Sequence, residues 1–228
     1  YGLSALVETS NTYVVNGASS ESDIWGKDVR PALGSMPDNV IEIWQHGFTE
    51  MFNNVIDHSD GSVATVELKK TPVKTLVVIR DNGVGIFKKI QAALNLIDER
   101  HAVLELAKGK FTTDPDRHSG EGIFFTSRMF DDFQILSGGV YFSHKFGDRK
   151  DWILEREKNA SGTSVYMELN NHTARTTRKV YAEYSVEEFR FDKTVVPVKL
   201  AQYGDDALVS RSQAKRLLVR IDRFKVVL

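Results

Sequence analysis

The sequence predicts an α+β chain, and three observations carry that reading. A long stretch, from about Asn39 to His58, repeats apolar residues at helical spacing. Short β-branched runs joined by brief polar turns read as strands, Val63–Leu68 and Thr75–Ile79 first among them. The second of these ends in Arg80-Asp81-Asn82-Gly83-Val84-Gly85-Ile86, so a carboxylate and two glycines close what is otherwise a core strand.

The totals bound the answer. A chain of 228 residues holds one large domain or one and a half ordinary ones. With 41% hydrophobic and 27% charged residues it is typical of globular proteins, and a net charge of −1 gives no overall basic footprint for nucleic acid. The absence of cysteine excludes disulfides and thiolate metal sites and fits a reducing compartment. No apolar run approaches the ~20 residues that span a bilayer, and no signal-peptide pattern opens the chain. A cytoplasmic protein without membrane contact is expected. Tyr1 at the start and the strand-like Lys225-Val226-Val227-Leu228 at the end lead to the expectation of an excerpt from a longer protein.

Residues 1–36 show no clear period and read as a connecting segment. Thr12–Gly17 reads as a strand and turn, Ser19–Asp23 as a polar loop or cap, and Ile24–Leu33 as a short helix. Pro37-Asp38 then starts the long helix, whose apolar face is Ile41, Trp44, Phe48, Met51, Phe52 and Val55. Glu50, Asn54 and His58 are spaced four apart, and each step drifts only ~40° around a helix, so they share one stripe. Such a stripe is either a solvated face or a site in which Asn supplies oxygen to Mg²⁺ and Glu polarises a water or hydroxyl. Thr71-Pro72 turns the chain between the two strands. Asp81 beyond them reads in two ways. It is an acceptor for a planar ligand, with Gly83 and Gly85 making room, or part of an Asp-Asn-Gly turn.

Phe87–Lys108 reads as a second helical region with a stripe of Ile90, Leu94, Ile97, His101 and Leu104, in which His101 is a packed structural residue. The polar segment from Gly109 is a loop that ends in Gly120-Glu121-Gly122, directly before the helical Ile123–Phe130. Glycines opening a helix favour an anion, and Lys110, Arg117 and His118 add positive charge. Phe133–Ser137 and Val140–His144 flank Gly138-Gly139, a hairpin signal. Trp152–Arg156 and Ser161–Leu169 read as further strands. Gly162-Thr163 either brings a hydroxyl near Asp81 or is a plain turn into the strand.

The order of these features over roughly residues 38–170 resembles the GHKL ATP-binding family, which includes gyrase, heat-shock chaperone ATPases, mismatch-repair ATPases, sensor histidine kinases and anti-sigma-factor serine kinases. The spelling Glu50-x-x-x-Asn54-x-x-x-His58 looks most like the anti-sigma branch. The resemblance implies a two-layer α/β sandwich of the Bergerat type over residues 37–172, a mixed and mostly antiparallel sheet with helices on one face. It implies ATP and Mg²⁺ as cofactors. Asn54 would ligate the metal, Glu50 would be the general base, and Asp81 would accept from the adenine amine. Gly83 and Gly85 would make space under the base beside Ile86. Residues 87–119 would form a lid. Lys110, His118, Gly120, Glu121, Gly122 and Ile123 would meet the phosphates, and Thr163 would support the adenine side. His58 would carry a basic or polar family position or cap the helix.

Downstream, Val195–Leu200 and Ala207–Val209 read as strands, Arg211 to about Asp222 as a helix capped by Ser210, and Phe224–Leu228 as another strand. This order over residues 185–228 looks like the first half of a STAS-like domain, as in bacterial and archaeal regulators. A half domain leaves a sheet edge unpaired, so a mobile or partner-covered tail is expected. Arg175, Arg178, Lys179, Lys215, Arg216, Arg220, Arg223 and Lys225 make the tail locally basic. Interleaved Glu183, Glu187 and Glu188 favour a solvated face over DNA contact.

The function expected is Mg·ATP binding in a signalling or transcription regulator, with Glu50 serving hydrolysis or phosphorylation of Ser/Thr on a STAS-type partner. The alternative is a nucleotide-gated interaction module with little turnover. Expected partners are ATP, a STAS-type or sigma/anti-sigma-type protein, and a second copy in a homodimer. DNA is expected only through a domain N-terminal to Tyr1.

Overall fold

The computed structural model describes residues 3–15, 20–109, 121–148, 151–187, 190–191, 193–194, 218 and 220–228. Strand β1 (Val7–Val14) comes first. Helix α1 (Glu21–Ile24), a π-type segment (Trp25–Val29) and helix α2 (Arg30–Leu33) then run on without a break. Ile24, Trp25, Val29 and Leu33 are buried. Residues expected only to connect are therefore part of the layered core. Only its last residues, from Thr12, were legible as a strand, because it is an edge: its residues are half-buried or exposed and largely polar.

Helix α3 (Asp38–His58) matches the expected span, with Asp38 in the first turn where the helix dipole favours an acid. It buries Val40, Ile43, Trp44, Phe48, Met51, Phe52 and Val55. Its aromatic spine is continuous with both neighbouring segments. Phe48 lies 5.8 Å from Trp25 and 5.4 Å from Phe52, and Trp44 lies 4.8 Å from Phe130. After α3 come β2 (Val63–Lys70), β3 (Lys74–Asp81), α4 (Ile86–Leu94), α5 (Glu99–Lys108), α6 (Gly122–Met129), β4 (Asp132–Lys145), β5 (Trp152–Asn170) and α7 (Thr177–Tyr184).

The sheet has the order β1-β2-β3-β5-β4, and each pair in it is antiparallel. Register decides its two faces. Val66 pairs with Ile79, which pairs with Val165, which pairs with Ile135, and all four belong to the core cluster that includes the helices. The alternate residues form the other face, where Arg80 meets Glu67 at 2.5 Å and Lys74 meets Glu168 at 2.7 Å. Apolar-in, polar-out alternation thus makes a two-layer α/β arrangement with helices on the inner face. Among the described residues, no helix is long and apolar enough to cross a membrane.

Two expected elements of this layer are corrected. Gly138-Gly139 is not a hairpin turn: β4 runs through it with a shift of register, and Gly138 adopts φ +58°. The hairpin joins β4 to β5 instead, and Asp151 ties it to the end of α6 by holding Arg128 at 3.2 Å and His144 at 2.5 Å. A GlyGly pair serves a bulge as well as a turn, since both need positive φ. Phe87–Lys108 is not one helical stripe. Asn95 adopts a left-handed conformation, and Asp98 caps α5 by accepting the His101 N–H at 3.0 Å, so Ile97 lies in the break and is 74% exposed. His101 is buried, as expected, with Nδ1 3.1 Å from Asp98.

In the tail, β6 (Ser185–Glu187) pairs with β7 (Arg190–Phe191), and β8 (Lys193–Thr194) pairs in parallel with β9 (Val226–Val227). Thr194 Oγ1 donates to the Lys108 carbonyl at 2.6 Å, and Phe224 joins the core cluster. The expected strands within 195–209 and most of the expected helix lie outside the described residues. That helix does not continue to Asp222, because Arg220 is left-handed and Ile221–Arg223 form a 3-10 turn.

Gly47 of α3 faces Phe130, and a methyl group there would come within 2.6 Å of Phe130 Cζ. Phe130 is fully buried against Trp44, so it has no free direction to retreat. Alanine gains about 1 kcal/mol of helix propensity, while overpacking of this kind costs about 1–3 kcal/mol. The balance, a loss of up to about 2 kcal/mol, is expected to lower the thermal midpoint of Gly47→Ala by up to about 8 °C in calorimetry. A raised midpoint would show that the contact between α3 and Phe130 is loose.

Candidate functional site

Strand β3 alternates Val77, Ile79 and Asp81 on its inner face, so the carboxylate stands where the apolar layer ends. The neighbouring strands place polar residues in the same row. Thr163 of β5 pairs with Ser137 of β4, and both are buried. Asp81 Oδ1 accepts the Gly83 N–H at 2.8 Å and the Thr163 N–H at 3.3 Å. Both backbone bonds fall on Oδ1. The Thr163 hydroxyl accepts the Ile86 N–H at 3.0 Å and also bonds the Asp81 carboxyl. Ser137 donates to the Gly162 carbonyl at 3.1 Å. The expected residues Asp81, Gly83, Gly85, Ile86 and Thr163 therefore come together, with Ser137 as a member that no sequence signal marked.

The glycines serve a purpose other than the expected one. A methyl group on Gly83 would overlap the Ser59 carbonyl at the end of α3, and one on Gly85 would come within 2.6 Å of Ser137 Oγ. Gly162 fits tightly against the Asp81 carbonyl. On the side where a Cβ would stand, each of these glycines packs against the protein's own atoms. Val84 N–H donates to the Ser59 carbonyl at 3.0 Å, so the glycine loop is sewn to the C-terminal end of α3.

A second cluster lies further toward the N-terminal end of α3. A methyl group on Gly122 would overlap the Glu50 carboxylate, so the carboxylate rests against the first residue of α6. Glu121, the N-cap, makes no side-chain cap bond. Tyr181 of α7 stacks 4.2 Å from Phe125, with its hydroxyl 3.5 Å from His46 Nε2. Burial, then the charges of Glu50 and Glu121, push the Tyr181 hydroxyl up to about 12. Burial lowers the His46 pKa, with Glu42 opposing the shift. The structure thus joins Glu50, Glu121 and Gly122, with Ile123 half-buried in the first turn of α6. His46 was findable, since it extends the Glu50–Asn54–His58 stripe by one turn. Tyr181 carried no signal.

Asn54 lies one turn beyond Glu50, half-buried, and its side chain forms no hydrogen bond among the described residues. His58 is the last residue of α3. Lys110, His118 and Gly120 lie outside the described residues. Among the described residues no three His, Asp or Glu side chains group as a metal site. Neither protein-family models nor curated proteins give a match to the chain.

Burial raises the Asp81 pKa, against the hydrogen bonds from Gly83 and Thr163, which lower it. A group raised in the folded state binds its proton more tightly there than in the unfolded chain. Its contribution to stability is full below the unfolded pKa and is lost as pH rises through the folded value. Asp81→Asn keeps an oxygen for the two N–H groups and removes the titration. The thermal midpoint of the wild type relative to this variant is expected to rise as pH falls from 7 toward the carboxylate range. A difference that stays constant over that range would mean Asp81 is not desolvated.

Proposed function

We propose that the chain is a Mg²⁺-dependent ATP-binding regulatory domain of the GHKL kind, with the anti-sigma kinases as the branch its motif spelling most resembles. The observation that carries this reading is the polar row at the end of the inner sheet face. Asp81 is held by two backbone N–H groups and the Thr163 hydroxyl, and its carboxyl would accept one further donor such as an exocyclic adenine amine. Thr163 beside it has a hydroxyl already oriented by Ile86. Helix α3 connects this end to Glu50, nine residues before Ser59, a separation of ~13 Å along a helix that a nucleoside triphosphate can span.

The residues fit the cofactor at the phosphate end as well. Asn54 offers a half-buried amide oxygen without a competing bond among the described residues, and phosphate oxygens and water would complete the coordination. Mg²⁺, when bound, neutralises phosphate charge. Glu50 takes the proton of the attacking oxygen as it bonds to the γ-phosphorus and ADP leaves. With water the product is inorganic phosphate, and with a Ser/Thr hydroxyl it is a phosphoprotein. The parallel β8–β9 pair supports a STAS-like tail, because parallel neighbours need a crossover connection between them. A STAS-type or sigma-type protein is the partner proposed.

A second reading, a nucleotide-gated interaction module with little turnover, is favoured by one contact. The Glu50 carboxylate rests against Gly122 at the start of α6, where the helix dipole favours an anion, so it is held as a counter-charge rather than facing a nucleophile. Calorimetry with ATP, with and without Mg²⁺, followed by phosphate release on the same sample, separates the readings. Binding that needs Mg²⁺ is expected, weakened at least tenfold in Asp81→Asn. Glu50→Gln is expected to keep binding and lose phosphate release. Turnover that survives in Glu50→Gln would remove Glu50 as the base. Wild-type affinity in Asp81→Asn would remove the adenine site.

A further inference from the structure

We propose that Tyr181, carried by α7 beyond the segment that holds the sequence motifs, is a hydrogen-bond donor at the Glu50 end of the site, with a phosphate oxygen as its acceptor in the loaded protein. The inference rests on the nucleotide reading above and adds a binding residue to it.

Three contacts place the hydroxyl. The ring is 4.2 Å from Phe125, one turn into α6, whose first residue Gly122 touches the Glu50 carboxylate. The hydroxyl is 3.5 Å from Nε2 of His46, one turn before Glu50 on α3. Tyr184 of the same helix packs 5.0 Å from Phe124, which fixes α7 along α6. Tyr181 therefore bridges the two helices at the point where the base carboxylate meets the start of α6. Helix α7 is held there by Thr177 Oγ1, which donates to Glu42, and by Asn39 Nδ2, which donates to the Thr173 and Arg175 carbonyls at 2.8 Å each.

The chemistry of the hydroxyl follows from its neighbours. Burial, and then the charges of Glu50 and Glu121, make its ionisation unfavourable, so it keeps its proton and acts as a donor, not as a nucleophile. Its bond to His46 is at the outer limit of hydrogen-bond length, so the proton is available to a better acceptor. Two carboxylates at the start of α6 repel a phosphate, and an uncharged donor between them offsets part of that repulsion. Ser185, which follows α7, also bonds the Tyr181 carbonyl at 2.9 Å, so holding Tyr181 holds the beginning of the C-terminal segment.

The test uses the full chain and Tyr181→Phe, which keeps the ring on Phe125 and deletes the hydroxyl. A hydrogen bond to a charged group is worth about 1.5–3 kcal/mol, or roughly tenfold to a hundredfold in affinity. ATP affinity is expected to fall by that factor while adenosine affinity stays unchanged; Asp81→Asn weakens both. Equal ATP affinity in wild type and Tyr181→Phe overturns the inference and leaves the nucleotide reading intact. A second readout needs no adenine. In protein with ¹³Cζ-labelled tyrosine, the Tyr181 resonance, assigned by its loss in Tyr181→Phe, is expected to move in Glu50→Gln without ligand and in wild type on adding Mg²⁺ and tripolyphosphate. A resonance that ignores tripolyphosphate and ATP alike overturns the proposal. A response to tripolyphosphate in a protein that fails to bind adenosine would sink the adenine reading and keep the donor.

Discussion

A carboxylate on the inner face of a sheet must be satisfied before anything around it can settle. Asp81 occupies such a position because β3 alternates strictly, and two residues earlier the same face is the fully buried Ile79. Leaving an anion there without donors costs several kcal/mol. The protein meets the demand with backbone N–H groups from both sides, Gly83 in the same chain and Thr163 on the neighbouring strand. Each solution constrains a further element. Bringing Gly83 back folds the loop onto the last carbonyl of α3, and Thr163 in turn holds the first N–H of α4. Two helices and two strands are thus set by the need to solvate one side chain with protein.

The other end of α3 obeys a different electrostatics. Around Asp81 the charge is met by fixed dipoles. Around Glu50 the carboxylate rests against the start of α6, Glu121 sits one residue before that start, and Tyr181, which does not ionise readily, feels both charges. Helix dipole and partial charges supply only about half an elementary charge at a helix start. The Asp81 carboxylate is thus met by backbone N–H groups fixed in the sheet and the glycine loop, whereas the Glu50 carboxylate meets a helix start through the end of a side chain.

The elements most legible in the sequence were those with an unambiguous period. Helix α3, strands β2 and β3, and the meeting of Asp81 with Thr163 were all readable, because burial on one face dictates residue choice there. What was not readable had contacts of another kind. Strand β1 is an edge, half solvated, and its polar residues conceal its pairing with β2. Gly138 looked like a hairpin turn because turns and bulges make the same conformational demand, and only the partner strand separates them. The break between α4 and α5 is signalled by Asn95 and Asp98, but an apolar Ile97 carried the stripe across it. Tyr181 belongs to no local pattern: its significance comes from Phe125 and His46, both distant in sequence.

Glycine shows how the same residue can be located correctly and explained wrongly. Gly83 and Gly85 read as space for a ligand and Gly122 as a phosphate contact, yet each missing side chain has protein in its place: a carbonyl of Ser59, the hydroxyl of Ser137, the carboxylate of Glu50. The first two contacts are permanent, since both join secondary-structure elements through backbone or a fully buried side chain. The third is made by the end of a flexible side chain on a helix face, and a glutamate can leave by rotating without moving α3. The packing at Gly83 and Gly85 is therefore part of the fold's framework, while that at Gly122 depends on one side chain. Under the nucleotide reading, a phosphate at the start of α6 would meet the same helix start against which the Glu50 carboxylate rests.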